Sequence, residues 1–145
     1  MQAMLLVLVL GVALPEDVFG AWRMNPVRSV FTGDARPKSL VVRIERHAKG
    51  EVFTLETVRS DNLALTSSLL LYLDGKARES DEGACSGFQS SRRMDSWTVE
   101  VLRTCNRAWT RLVRRLTTPK ELVLDITEQH AEGGRSTWHV VLEKE

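Results

Sequence analysis

The chain holds two cysteines, one tyrosine and four prolines among its 145 residues, and its basic and acidic side chains differ by a formal charge of only +1. Two cysteines, Cys85 and Cys105, are too few for a disulfide framework or a structural zinc site. Near-neutral charge removes the general electrostatic case for nucleic acid or an anionic membrane surface as partner. No apolar run reaches the ~20 residues that a membrane-spanning helix needs. No window from Ser39 onward carries a 3.6-residue apolar stripe, so the sequence offers little amphipathic helix. The exception is a short turn of helix expected over Asn25–Phe31, with Asn25 capping and Pro26 at the first helical position.

What the chain does have is alternation. β-rich runs are expected over Ser39–His47, Glu51–Ser60, Leu63–Leu73, Ala84–Arg93, Trp97–Cys105, Trp109–Thr117, Glu121–Gln129 and Arg135–Glu143. Between them stand Ala48-Lys49-Gly50, Ser60-Asp61-Asn62, Asp74-Gly75-Lys76, Thr118-Pro119-Lys120 and Glu132-Gly133-Gly134. Asp74-Gly75 is a preferred tight-hairpin dipeptide, because glycine accepts positive φ. Leu122, Leu124 and Ile126 share one face of their run, Trp138, Val140 and Leu142 another, and Leu40, Val42 and Ile44 a third. Eight or nine sequential strands joined by short turns form a meander, and a meander escapes exposed edges by closing on itself. The expected fold is therefore all-β, an up-and-down antiparallel β-barrel of lipocalin or calycin type; a two-sheet sandwich would need longer crossing connections. The domain is expected over 17–145.

Residues 1–14, MQAMLLVLVLGVAL, are uncharged and too short to span a bilayer, and their length suits a secretory h-region. No Lys or Arg precedes them and no clean small-x-small cleavage site follows; a buried first strand or helix is the competing reading. A periplasmic or secreted location is expected. Cys85 and Cys105 lie symmetrically about Asp95. A hairpin turning there would bring them face to face, leaving open a disulfide or two separate buried thiols.

The segment Gly20-Ala21-Trp22-Arg23-Met24-Asn25-Pro26-Val27-Arg28-Ser29-Val30-Phe31 resembles the opening of a bacterial exported lipocalin-like family, whose mature domains begin close to GTWKLNPAKSKF. Gly20, Trp22, Asn25, Pro26, Ser29 and Phe31 carry the match, with weaker echoes in Tyr72–Lys76, Arg93–Val101 and Val141–Glu145. The Gly-x-Trp opening is also similar to that of the wider lipocalin and fatty-acid-binding group. That likeness implies a structural role for Gly20 and Trp22, with the indole closing one barrel end against an arginine from a late strand. Arg114, Arg115 and Arg135 are the candidates for that arginine.

Catalytic signals are absent. His47, His130 and His139 lack metal-ligand spacing, and Gly83-Ala84-Cys85-Ser86-Gly87 does not match the nucleophile turn G-x-S-x-G. Glu56, Glu100 and Asp125 lie within strands with nothing to pair them for hydrolysis. A hydrolase or isomerase in the barrel mouth therefore has no positive support, and neither a cofactor nor a metal is implied. The leading expectation is a non-enzymatic protein holding a small hydrophobic or amphiphilic molecule, lined by Leu69, Leu71, Val99, Val101, Trp109, Arg111 and Arg115. The alternative is an envelope structural or interaction protein with a packed barrel and a basic docking surface. Arg92, Arg93, Arg103, Arg107, Arg111, Arg114 and Arg115 serve either account, as an anion-recognising lining or as outer-face partners of Glu100, Glu121, Asp125 and Glu128. Oligomeric state is not legible.

Overall fold

The computed structural model describes residues 18–33, 36–82 and 85–145, with the side chains of Asp81, Glu82 and Cys85 outside that description. Residues 1–14, read above as an export leader, lie outside the described residues. Among the described residues eleven strands form one antiparallel sheet: β1 (Gly20–Met24), β2 (Val30–Thr32), β3 (Ser39–His47), β4 (Gly50–Val58), β5 (Ala64–Leu71), β6 (Arg78–Glu82), β7 (Cys85–Arg93), β8 (Thr98–Cys105), β9 (Ala108–Thr118), β10 (Glu121–Gln129) and β11 (Arg135–Lys144). The expected runs reappear as β3, β4, β5 and β7 to β11, with bounds moved by a residue or two. Three strands escaped the alternation. β1 and β2 are short, and β6 reads Arg-Glu-Ser-Asp-Glu, with no apolar residue to set a phase.

The strand path runs β5-β4-β3-β1-β11-β10-β9-β8-β7-β6, with β2 added beside β11. β1 pairs with both β3 and β11, Trp22 standing opposite Val42 on one side and Lys144 on the other. The first described strand thus closes against the last. The two ends of the path, β5 and β6, share no ladder among the described residues. At this seam β5 and the turn after it lean on β7 instead, through a bridge between Asp74 and Arg92 and local hydrogen bonds. Gln89 Nε2 donates to the Leu70 carbonyl at 3.1 Å, and the Leu73 amide donates to Ser91 Oγ at 2.9 Å. The hairpin expected at Asp74-Gly75 does not form between β5 and β6. Instead Gly75, at φ 75°, donates its amide to the Ser91 carbonyl, which folds the turn onto β7. The Asp74 carboxylate accepts from both terminal guanidinium nitrogens of Arg78, at 2.6 and 2.9 Å.

The helical turn expected at Asn25–Phe31 is a single non-helical turn. Asn25 Oδ1 does accept from the Val27 and Arg28 amides at 3.0 and 3.1 Å, but Phe31 opposite Trp138 draws the chain straight into β2. One turn without tertiary support is too short to hold a helix. The hairpin between β7 and β8 pairs Arg93 with Val99 and Gln89 with Arg103, so it is centred on Ser96 rather than Asp95. That displaces by two residues the face-to-face register expected for the cysteines. Cys105 is disulfide-bonded.

Register stacks the interior in levels, because facing residues of antiparallel neighbours sit at one height. The lowest level holds Met24, Leu116, Leu122 and Leu142, joined by the pairs Met24–Leu142, Leu122–Leu142 and Leu122–Leu116. Trp22 is fully buried there, and its indole N–H donates to the Val18 carbonyl at 2.9 Å. Burying an indole of this size removes some 150–250 Å² of mostly apolar surface from water and plugs the barrel end. The cation over its ring is Lys144, with Nζ 5.4 Å from the centroid. None of the three arginines proposed for that place occupies it. Arg114 is buried against Glu51, Arg115 is exposed, and Arg135 lies over Trp109 at 5.6 Å. Gly20 opens β1 at φ 126°, a conformation that side chains oppose.

Candidate functional site

Above the Trp22 plug comes a level where a charged pair crosses the barrel. Arg114 of β9 and Glu51 of β4 meet at 2.8 Å with side chains 3% and 2% exposed. Arg93 approaches the other Glu51 oxygen at 3.5 Å. Val99, Leu124 and Val140 complete this floor through the pairs Val99–Arg114, Arg114–Leu124 and Leu124–Val140, and Leu71 stands opposite Glu51. A lone charge here would be costly, and each ion makes the other tolerable.

On this floor stands a cavity of about 250 Å³. Its lower wall is apolar: Phe53 and Leu69 face each other on β4 and β5, and Val101, Leu112, Ile126 and Trp138 form a register row across β8 to β11. One level up, the row becomes Arg103, Thr110, Glu128 and Ser136, with Leu55 and Ser67 on the facing wall. The site is therefore greasy below and polar above. Around the mouth, His130 Nε2 lies 2.7 Å from Ser136 Oγ, and its Nδ1 lies 3.9 Å from Glu128 Oε1. Phe31 of β2, the register partner of Trp138 on the same face, packs edge-on against it with ring centroids 5.1 Å apart and so supports that cavity wall.

Among the residues expected to line a ligand, Leu69 and Val101 do so. Leu71 and Val99 are buried one level lower, in the floor. Trp109, Arg111 and Arg115 do not line it. In β9 the inward side chains are Thr110, Leu112, Arg114 and Leu116, and the alternate set faces out. Both faces of β9 carry arginines and apolar residues, so alternation alone had no means of choosing between them. The partners separate the two faces: Arg114 meets Glu51 inside the barrel, whereas Arg111 meets Glu100 on the outer face. The residues missed were partly legible: extending the Leu122-Leu124-Ile126 face by one step gives Glu128, and extending the Val140-Trp138 face gives Ser136.

Outside the barrel, Arg92 and Arg111 both engage Glu100, at 2.9 and 2.7 Å. Burial alone would raise the Glu100 carboxyl, but hydrogen bonds and charge from Arg111 and Arg92 outweigh it and hold the group below its ordinary value. This part of the arginine cluster is thus charge-matched, as in the outer-face account. His139 pairs with Asp125 at 2.6 Å, and the Nδ1 of exposed His47 accepts from the Lys49 amide. No cluster of three or more His, Cys, Asp or Glu suited to a metal occurs among the described residues. No helix there is long and apolar enough to cross a membrane.

The chain matches no protein-family profile and no curated protein. Among solved structures it is similar to a Schistosoma mansoni fatty acid binding protein in complex with arachidonic acid, with a TM-score of 0.54, 8% identity, and coverage of 90% of this chain and 97% of the other. It is also similar to EF1p2_mFAP2b bound to DFHBI, with a TM-score of 0.50, 9% identity, and coverage of 89% and 94%. The likeness is one of fold. It shows the fold alone, an all-β antiparallel barrel like theirs.

Proposed function

We propose that this chain is a non-enzymatic binding protein that holds one compact amphiphile inside its barrel. The tail lies against Phe53, Leu69, Val101, Leu112, Ile126 and Trp138, and the polar end meets the row from Arg103 to Ser136. The observation that carries this reading is the change from apolar to polar over a single register step, above a floor sealed by Glu51 and Arg114. A scaffold barrel gains nothing from an unfilled interior, because unfilled apolar space costs packing energy. The volume sits just below the ~300–1,000 Å³ common for small-molecule sites, which favours a short ligand. Both fold neighbours were solved with a small molecule bound, which supports the same reading. We place the protein in the periplasm or outside the cell, on the strength of the uncharged run Met1–Leu14.

The test is displacement of 1-anilinonaphthalene-8-sulfonate by decanol, in the wild type and in Leu112→Trp. The wild type is expected to bind the dye with enhanced fluorescence and release it to decanol. The tryptophan at 112 fills the space and abolishes both effects while circular dichroism stays unchanged. Equal binding by a folded Leu112→Trp protein would place the dye elsewhere and end the cavity reading.

A further inference from the structure

We infer that Ser136 is a nucleophile that captures one acyl group from an ester lying in the cavity, with His130 as its general base. This deepens the binding reading above and rests on it: the polar end of the ligand becomes the ester carbonyl. The register brings three side chains together. Ser136 of β11 pairs with Glu128 of β10, and His130 follows Glu128 by two residues on the same face. His130 Nε2 lies 2.7 Å from Ser136 Oγ, and its Nδ1 lies 3.9 Å from Glu128 Oε1. The turn after β10 fixes the backbone of His130, whose amide donates to the Gly134 carbonyl and whose carbonyl accepts from the Gly133 amide, both at 3.1 Å. On the other flank Gly33 carries no side chain; a Cβ there would stand 3.1 Å from Ser136 Oγ.

An ionised carboxylate only accepts hydrogen bonds, so Glu128 favours the imidazole tautomer with its proton on Nδ1. Nε2 is then the acceptor for the Ser136 hydroxyl, the direction a general base requires. Serine, base and orienting carboxylate thus stand in the order that activates a hydroxyl on any fold. In the step, Ser136 Oγ bonds to the carbonyl carbon and its proton passes to His130 Nε2. The bond from that carbon to the leaving oxygen breaks, and His130 returns the proton to the departing alcohol. The acyl chain lies along Phe53, Leu69, Leu112 and Trp138. Ser136 is 2% exposed, so a chain filling the cavity above its sealed floor keeps water from the new ester. Capture is therefore stoichiometric, a covalent form of binding without turnover.

The experiment treats the protein with p-nitrophenyl hexanoate and follows released nitrophenolate, intact mass and the acylated peptide. The wild type is expected to release one equivalent, stop, and carry a single hexanoyl group on Ser136. Ser136→Ala should lose the release and the label. Leu112→Trp should lose both with Ser136 intact, because the tail has no room. His130→Gln should slow acylation at least about a hundredfold. Glu128→Gln tests the positioning residue: the maximal rate constant should fall by more than the half-saturating ester concentration changes. Circular dichroism checks that each variant folds. No label on a wild type that binds the anilinonaphthalene dye and releases it to decanol overturns the inference and leaves the cavity reading standing. Equal labelling of a folded Ser136→Ala or Leu112→Trp protein, or release that continues past one equivalent, also overturns it. A wild type that neither binds the dye nor takes the label removes both readings.

Discussion

Glu51 and Arg114 show how one residue pair shapes the interior. The two ions are 63 positions apart in sequence and nearly sealed from water, so each is tolerable only because of the other. Arg114→Met alone is expected to cost about 3–5 kcal/mol in urea denaturation, because it strands a buried carboxylate. Adding Glu51→Leu should recover most of that loss, and a double variant no better than the single would show that the pair is not what carries the cost. Glu100 gives the pH dependence. Its folded-state carboxyl lies below the ordinary value of 4.5, so its ionised form stabilises the fold above that pH. The contribution drains away as pH falls below about 4.5 and through the lower folded value. Melting temperature measured down a pH series should therefore drop less steeply in acid for Glu100→Gln than for the wild type.

At the scale of elements, the seam sets β5 and β6 apart from the rest. Each pairs with a single neighbour among the described residues, β5 with β4 and β6 with β7, whereas β10 is paired along its whole length on both sides. The stretch Ala64–Ser68 of β5 is exposed throughout. Amide exchange should report this: β6 and the outer half of β5 are expected to exchange at least about tenfold faster than β10. Removing the side-chain latch with Gln89→Ala should speed exchange on both sides of the seam without touching β10; uniform exchange around the barrel would deny the seam. A second close approach lies in β7, where a Cβ on Gly87 would sit 1.8 Å from the Thr104 carbonyl oxygen. Gly87→Ala should push β7 from β8, lowering the melting temperature by several degrees.

For the molecule as a whole, stability depends on a closure between its first and last described strands. Val140 and Leu142 near the C-terminus are fully buried, and Met24 faces Leu142 across β1 and β11. A chain ending at His139 should therefore lose near-ultraviolet circular dichroism entirely rather than fray. Retention of a cooperative melt by that truncation would show that the barrel holds without its closing strand. Because the β1–β11 contacts join residues more than a hundred positions apart, this closure is expected to form slowly in refolding.

Local alternation was enough to establish most of the strands and the inward faces of β3, β10 and β11, since side chains two residues apart point the same way whatever the chain does later. It gave no purchase on β6, which has no apolar residue, or on β9, whose two faces are equally mixed. Only the folded sheet decided that Arg114 turns inward, that the barrel parts between β5 and β6, and that Arg103, Thr110, Glu128 and Ser136 share one rim. Those outcomes depend on register between strands distant in sequence. A strand's own pattern says which residues share a face, and the partner across the barrel says which face is enclosed.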